Sequence, residues 1–425
     1  MLQPDGEFAL IYQAYEAIRR STRPAFELLD AGHKLARHPR NPWRNTYTMR
    51  AMATACELPA RALKDYRKPE YVVWEALGDI DVRLPERKVA SLPFANLLNF
   101  PVDEGGPARP KLLIVAALSG HHATLLQDTI RGFARDFDTY ITDWRDARDV
   151  PLSEGKFGFD DYVRHVMEFI EILGPDTHVV ATCQAAPPAM VAAAMLARDK
   201  PEFKPATLTL MGGPVDTRVN PGALGKITEY MPLGLMRKTN IHKIPRGYPG
   251  SGRRVYPGFF QLSGFIALNP KPHVRQYKNF IKNSVKGADE PLEKFRDFYD
   301  EYFAVVDMTE EFYIETLQKV FFEHHIPDGI MEFEGELVDF ASVTGMGLLT
   351  VEGGNDHFCP PGQTEAAQPV FAGLADADRK HYIQEGVGHY GVFSGSKFQA
   401  KIYPVIRDFI MARMAPASSD SAEAA

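Results

Sequence analysis

The sequence predicts an α/β domain, a mostly parallel sheet with helices on both faces, interrupted by an inserted and mainly helical cap. Three observations carry this. Lys111–Leu118 (KLLIVAAL) is an unbroken apolar run of strand length, the pattern of a strand covered on both faces. Beyond it, strand-like runs alternate with helix-length segments, which requires parallel strands joined by right-handed crossovers. The alternation stops at Gly212-Gly213-Pro214 and resumes at Gly345, so the stretch between reads as an insertion.

Taken in order, residues 1–70 read as helical, with Phe8, Leu10, Ile11, Tyr15 and Ile18 near helical spacing and a Pro- and Arg-rich stretch at Arg37–Arg50. Residues 71–215 hold the first part of the core. Tyr71–Phe100 contains two extended runs split by Pro85-Glu86-Arg87, which predicts a leading antiparallel hairpin. After the Lys111–Leu118 strand come a helix over His121–Phe133, a strand over Asp138–Trp144, and a helix over Phe159–Ile172. A strand over Thr177–Cys183, a helix over Pro187–Arg198 and a strand over Ala206–Met211 follow. Residues 216–343 form the cap, with helical stretches at Val274–Asn283 and Leu292–Phe322. Residues 344–414 complete the core with strands at Gly345–Glu352 and Lys380–Gln384 and a last helix at Lys397–Met414. Residues 415–425 are small and polar and are expected to be disordered.

The composition excludes several function classes. The 425 residues are 45% apolar and 24% charged, with a net charge of −7, so the chain is neither disordered nor built around a basic nucleic-acid-binding face. No apolar run reaches the roughly 18 residues of a bilayer span. The start of the chain carries Asp5 and Glu7 and no long apolar centre, so no secretion signal is expected. Three cysteines do not make a disulfide framework, which points to a reducing, cytoplasmic compartment.

Cys183 carries the chemistry. It ends a strand, precedes a helix, and stands between small residues two positions away on each side, Ala181 and Ala185. That is the spacing of the nucleophile elbow, in which the turn is too sharp for large flanking side chains. The helix start places partial positive charge beneath the sulfur and favours thiolate. Pro187 and Pro188 fall in the first helical turn, where no N–H is needed. Cys56 and Cys359 have no such context.

An acid and a histidine should follow the nucleophile in the chain, each at the C-terminal end of a strand. Asp356, in Gly353-Gly354-Asn355-Asp356-His357, lies just beyond one strand; Glu352 is the competing acid, still within it. His389, in Gly386-Val387-Gly388-His389-Tyr390, follows the last strand and is the expected base. The loop Leu118-Ser119-Gly120-His121-His122 leaves the first buried strand. Its backbone, at Ser119, and the backbone N–H of Gln184 are the expected oxyanion hole. No metal is expected at His121-His122, because no H-E-x-x-H or CxxC pattern accompanies the pair. Within the cap, Tyr248–Phe265 (YPGSGRRVYPGFFQLSGF) interleaves aromatics with glycine and proline. It reads either as cap core or as a lid over an apolar cleft. On the lid reading Tyr248, Phe259 and Phe260, with His121, would contact substrate.

At these residues the chain resembles the intracellular polyhydroxyalkanoate depolymerases. The segments that carry the resemblance include LSGHHATLL (Leu118–Leu126), YITDWRDARDVP (Tyr140–Pro151), the Cys183-Gln184 elbow, MGGPVDTR (Met211–Arg218), YPGSGRRVYPGF (Tyr248–Phe259), TVEGGNDH (Thr350–His357) and GHYGVFSG (Gly388–Gly395). They run from about residue 110 to the last helix. The acid loop departs from the pattern, reading Asn355-Asp356 where consecutive aspartates are expected. The resemblance implies an α/β-hydrolase fold with a cysteine nucleophile and the triad Cys183, Asp356 and His389. It further implies cleavage of poly(3-hydroxybutyrate) at the surface of cytoplasmic storage granules, with no cofactor, no nucleic acid partner and no bilayer span; an oligomer is compatible with it. A polyester synthase-like acyltransferase, a small-ester or thioester hydrolase and a non-catalytic granule-binding protein are the alternatives.

Overall fold

An eight-stranded sheet organises the molecule. The structure, a computed structural model, describes residues 7–77, 80–102, 109–268 and 270–414; the expected tail at 415–425 lies outside them. In chain order the sheet strands are β1 (Arg87–Ser91), β2 (Ala95–Asn99), β3 (Lys111–Val115), β4 (Asp138–Trp144), β5 (His178–Thr182), β6 (Thr207–Met211), β7 (Gly347–Gly353) and β8 (Arg379–Gln384). They lie side by side in the order 1-2-4-3-5-6-7-8. β2 is antiparallel to both its neighbours, β1 and β4, and all other neighbours are parallel. This is the topology of an α/β-hydrolase. Every residue of β5 and of β7 is buried, as strands covered on both faces require.

The core helices are α3 (Gln127–Ala134), α4 (Phe159–Leu173), α5 (Ala186–Asp199) and α12 (Tyr403–Met414), preceded by α1 (Glu7–Arg37) and α2 (Tyr47–Leu63). α4 packs on α5 and α3 on α12, one pair for each face of the sheet. Between β6 and β7 the cap contributes α6 (Ala223–Tyr230), α7 (Leu233–Asn240), α8 (Gly258–Leu268), α9 (Pro270–Lys286), α10 (Asp289–Phe303) and α11 (Glu310–Thr316). A small three-stranded ribbon (His242–Lys243, Arg254–Tyr256, Met308–Thr309) ties the cap together.

Three local expectations are corrected. The Tyr71–Phe100 stretch forms two hairpins. Trp74–Leu77 pairs with Ile80–Arg83 as a separate ribbon, and only β1–β2 joins the sheet. Pro93, in the β1–β2 turn, cannot donate to a ladder and reverses the chain there. β3 ends at Val115, earlier than its apolar run, because the Ala116 carbonyl accepts from the Trp144 indole (2.7 Å) and the Tyr162 hydroxyl (2.7 Å). The Leu292–Phe322 stretch is broken after Phe303, where Met308–Thr309 pairs into the cap ribbon; it resumes as α11 and a π-helical turn, Leu317–Phe322.

Residues 7–63 form two long helices packed on each other. Of the apolar residues at helical spacing on α1, Ile11 and Ile18 face away from the protein, 48% and 62% exposed, whereas Tyr15 stacks on Phe259 of the cap. The face that docks is mixed, with Tyr12 and Glu16 buried. The Tyr12 hydroxyl donates to Asp307 in the cap (2.6 Å).

Candidate active site

Cys183 stands one residue past β5, with a backbone φ of +52°. A non-glycine residue in the left-handed region is held there by its surroundings at a cost on the order of 1–3 kcal/mol. The surroundings explain the tolerance. Ala181 and Ala185 are completely buried, leaving no room for larger flanks. Gly213, past the end of β6, is close enough that a Cβ there would lie 2.2 Å from the Ala186 methyl and 2.9 Å from the Cys183 carbonyl. A single 3₁₀ turn, Cys183–Ala185, then leads into α5, with Pro187 and Pro188 in its first turn. The strain lifts the sulfur into the space above the sheet.

Two further strand ends complete the cluster. His389 opens a short 3₁₀ turn after β8, and its Nε2 lies 3.2 Å from the Cys183 sulfur. Its Nδ1 lies 2.6 Å from Oδ2 of Asp356, in the loop after β7. The other Asp356 oxygen accepts the backbone N–H groups of Phe358 and Cys359, both at 2.9 Å, which leaves Oδ2 to orient the imidazole. Gly212, at a φ of +54°, lets the chain pass beneath the pair: a Cβ there would meet Asp356 Oδ2 at 3.5 Å and His389 Cε1 at 3.7 Å. Glu352, the competing acid, is fully buried and accepts the N–H groups of Gly362, Thr364 and Glu365. It braces the β7 loop and does not reach His389.

The electrostatics follow from burial and charge. Burial alone would push the His389 imidazole down, but the facing Cys183 sulfur and the Asp356 carboxylate outweigh it and raise the pKa to about 10. Burial pushes the Cys359 thiol up instead, and its sulfur packs 3.7 Å from the Thr364 hydroxyl.

A cavity of about 640 Å³ opens above Cys183, in the size range of small-molecule sites. Cys183, Gln184, Ser119, His121, His122 and His389 form its floor, and the cap forms its walls through Ile227, Met231, Met236, Phe260, Phe265, Leu317 and Phe321. Leu317 and Phe321 come from the π-helical turn, a feature that often re-aims side chains at functional sites. Ser263 and Gly264 of α8 are exposed yet also line the cavity, so it opens beside that helix.

The structure thus brings together seven of the nine sequence-derived positions. Cys183, Asp356 and His389 form one hydrogen-bonded chain, and Ser119, Gln184, His121 and Phe260 line the cavity around it. Tyr248 and Phe259 require correction, because they do not line it. Phe259 stacks on Tyr15 at 3.9 Å and meets Tyr12 edge-on at 5.5 Å, and Tyr248 joins the same cluster between cap and α1. Within the glycine–aromatic stretch Tyr256, Phe260 and Phe265 therefore line the cavity, while Tyr248 and Phe259 pack between the cap and α1. The wall residues Met231, Met236, Leu317 and Phe321 carry no sequence signal beyond being apolar.

Comparison with known proteins adds a family to this geometry. Residues 212–414, which contain the cap, Asp356 and His389, match the family described as "PHB de-polymerase C-terminus". That match spans the second half of the chain and makes it similar, over those residues, to a polyhydroxyalkanoate-related family. A curated relative, the poly(3-hydroxyalkanoate) polymerase subunit PhaC of Haloarcula marismortui, is 25% identical over 152 residues, 35% of this chain. The match spans 30% of that relative's length. Among solved structures, DcsB in complex with its substrate analogue aligns over 78% of this chain and 100% of its own at 13% identity and a TM-score of 0.44. The α/β hydrolase GrgF from Penicillium sp. sh18 aligns over 79% and 100% at 14% identity and a TM-score of 0.43. Among the described residues, no helix is long and apolar enough to cross a membrane.

Proposed function

We propose that this chain hydrolyses the ester bonds of poly(3-hydroxybutyrate) or its oligomers through Cys183, His389 and Asp356, at the surface of cytoplasmic storage granules. The observation that carries the reading is the hydrogen-bonded chain Asp356–His389–Cys183 at the floor of an apolar cavity, in a chain whose residues 212–414 match a polyhydroxyalkanoate-related family.

In this reading Cys183 attacks the ester carbonyl as thiolate. The oxyanion that forms is held by backbone N–H groups at Gln184 and Ser119. His389 gives its Nε2 proton to the departing alkoxide, which leaves as alcohol, and a thioester remains on Cys183. The now neutral imidazole takes a proton from water, and the resulting hydroxide attacks the thioester. The acid departs, and the thiolate–imidazolium pair is restored. Asp356 orients the ring and stabilises its charged form throughout. No cofactor enters this sequence.

The deciding experiment incubates the purified protein with amorphous poly(3-hydroxybutyrate) and measures 3-hydroxybutyrate release, with Cys183→Ala as control. Release that depends on Cys183 is the expected result. Polymer growth from 3-hydroxybutyryl-CoA would instead select the acyltransferase reading, and binding to polymer without any turnover would select a granule-binding role.

A further inference from the structure

The loop that carries Ser119 is gripped by the cap. Ser119, Gly120 and His121 lie past the last residues that β3 pairs with its neighbours. Two pieces of the cap hold them instead. Beside the loop runs Val305–Val306, between α10 and the cap ribbon. The Val306 N–H donates to the Gly120 carbonyl (2.9 Å), and His121 and Val305 form an antiparallel bridge. Over the loop lies Gln261 of α8, which is 3% exposed and lines the cavity. A Cβ on Gly120 would lie 2.8 Å from Gln261 Oε1, 3.2 Å from its Cδ and 3.3 Å from its Cβ, so the side chain covers Gly120 along its length. Gly120 has a φ of +88°, and the turn and the close approach both require glycine.

The two holds act as one unit. Gly258, at the start of α8, is so close to the Val305–Val306 segment that a Cβ there would lie 2.7 Å from the Val306 carbonyl oxygen. Gln261 Nε2 donates to the Tyr256 carbonyl (2.9 Å), which fixes the amide with Oε1 toward the loop. The His121 ring meets Phe265 of α8 and Tyr302 of α10 at centroid distances of 5.8 and 5.1 Å. An oxyanion donor is effective because it stands in place before charge develops, and a displacement of about 1 Å can cost on the order of 10²-fold.

We propose that Gln261 is a positioning residue for the oxyanion hole: with Val305–Val306 it holds the Ser119–His121 loop in the conformation that presents the Ser119 N–H to the oxyanion. Part of the hole is thus built by the cap, and α8 takes part in the chemistry as well as in forming the cavity wall. This rests on the function proposed above and adds a residue, far from the triad in sequence, that sets its rate.

The test uses a short soluble ester, an alkyl trifluoromethyl ketone and iodoacetamide on the wild type, Gln261→Ala and Gly120→Ala. The Cys183 thiolate adds to the ketone carbonyl and leaves an oxyanion like that of the reaction. Alkylation by iodoacetamide displaces iodide and builds no oxyanion. In Gln261→Ala kcat should fall about tenfold or more with KM changed less than about twofold, and affinity for the ketone should fall by a similar factor. The alkylation rate of Cys183, followed by mass spectrometry of its peptide, should stay within about twofold of wild type, because thiolate and imidazolium are untouched. Gly120→Ala, whose methyl group meets the Gln261 amide, should show the same pattern, and its loss should be smaller in the Gln261→Ala background. Melting curves identify a variant that does not fold, and the other then carries the comparison; failure of both to fold would make the contact purely structural and overturn the proposal. An unchanged kcat or ketone affinity in folded Gln261→Ala, or kcat and alkylation falling together, would also overturn it, while Cys183-dependent turnover by the wild type would leave the hydrolase reading intact. A wild type that turns over no ester would overturn both.

Discussion

The hydroxyl of Tyr12 donates a 2.6 Å hydrogen bond to Asp307, joining the first helix of the chain to the cap 295 residues away. Asp307 also accepts the Gly258 N–H (2.9 Å) at the start of α8, and its own N–H donates to Asp146 (3.2 Å) after β4. Through its carboxyl group and its backbone N–H, one buried residue therefore fixes α1, the helix α8 and the core loop relative to one another. The next residues place Met308 in the cavity wall, and Val306 donates to the Gly120 carbonyl beneath it (2.9 Å).

Tyr12→Phe should accordingly lower stability by about 1–3 kcal/mol, because it strands a buried carboxyl oxygen without its donor. Thermal melting checks this. The same variant should loosen α8 over the cavity, seen as faster hydrogen exchange in Gly258–Leu268 than in α5. Unchanged exchange in α8 would mean that α1 merely covers the cap.

Cys183→Ala should abolish turnover, by a factor of 10³ or more, with little change in melting temperature. Cys56→Ala and Cys359→Ala should remain active. Retention of more than about one hundredth of the activity in Cys183→Ala would remove the sulfur from the chemistry.

Asp356→Asn and Glu352→Gln separate orientation from structure. The first removes the acceptor that orients His389 and should cost roughly 10²–10⁴-fold in kcat at nearly normal stability. The second turns an amide toward three backbone N–H donors and should cost stability first, with the folded fraction still active. A larger kcat loss in Glu352→Gln would reassign the acid.

The His389 pKa is raised to about 10 by the facing sulfur and carboxylate against the opposing effect of burial. Leaving-group protonation needs the imidazolium, so kcat/KM should hold through neutral pH and fall as pH rises through about 10. Removing the sulfur removes a raising influence. In Cys183→Ala the ring should therefore titrate at lower pH than in the wild type, as ring-proton NMR would show. An unmoved titration would mean that the sulfur and the ring are not coupled.

Phe260→Ser should impair hydrolysis of amorphous polymer more than of a short soluble ester, because the Phe260 ring is part of the apolar wall that an extended chain uses and a small ester does not. Phe259→Ser, which removes the ring stacked on Tyr15, should act mainly on melting temperature. Equal losses on both substrates in Phe260→Ser would make that residue cap core as well.

Much of this was legible before folding because the relevant signals are local. An apolar run long enough for one strand, glycines or alanines where a turn leaves no room for a Cβ, and a histidine just past a strand end are properties of neighbouring residues. They marked the six sheet strands from Lys111 onward and the insertion between β6 and β7, and they singled out Cys183, Asp356 and His389 as candidates. The tertiary structure alone decided what depends on residues far apart in sequence. Apolar spacing on α1 identified a helix but not its docked face, because Tyr12 is held by Asp307 through a hydrogen bond that no periodicity records. Tyr248, Phe259 and Phe260 look alike in sequence, but the helix that starts at Gly258 turns Phe259 toward α1 and Phe260 toward the cavity, and Tyr248, ten residues before that helix, packs with Phe259. The different surroundings of Glu352 and Asp356 were likewise set in space: both are acids at the end of β7, and the structure puts an Asp356 oxygen 2.6 Å from His389 while Glu352 accepts backbone N–H groups.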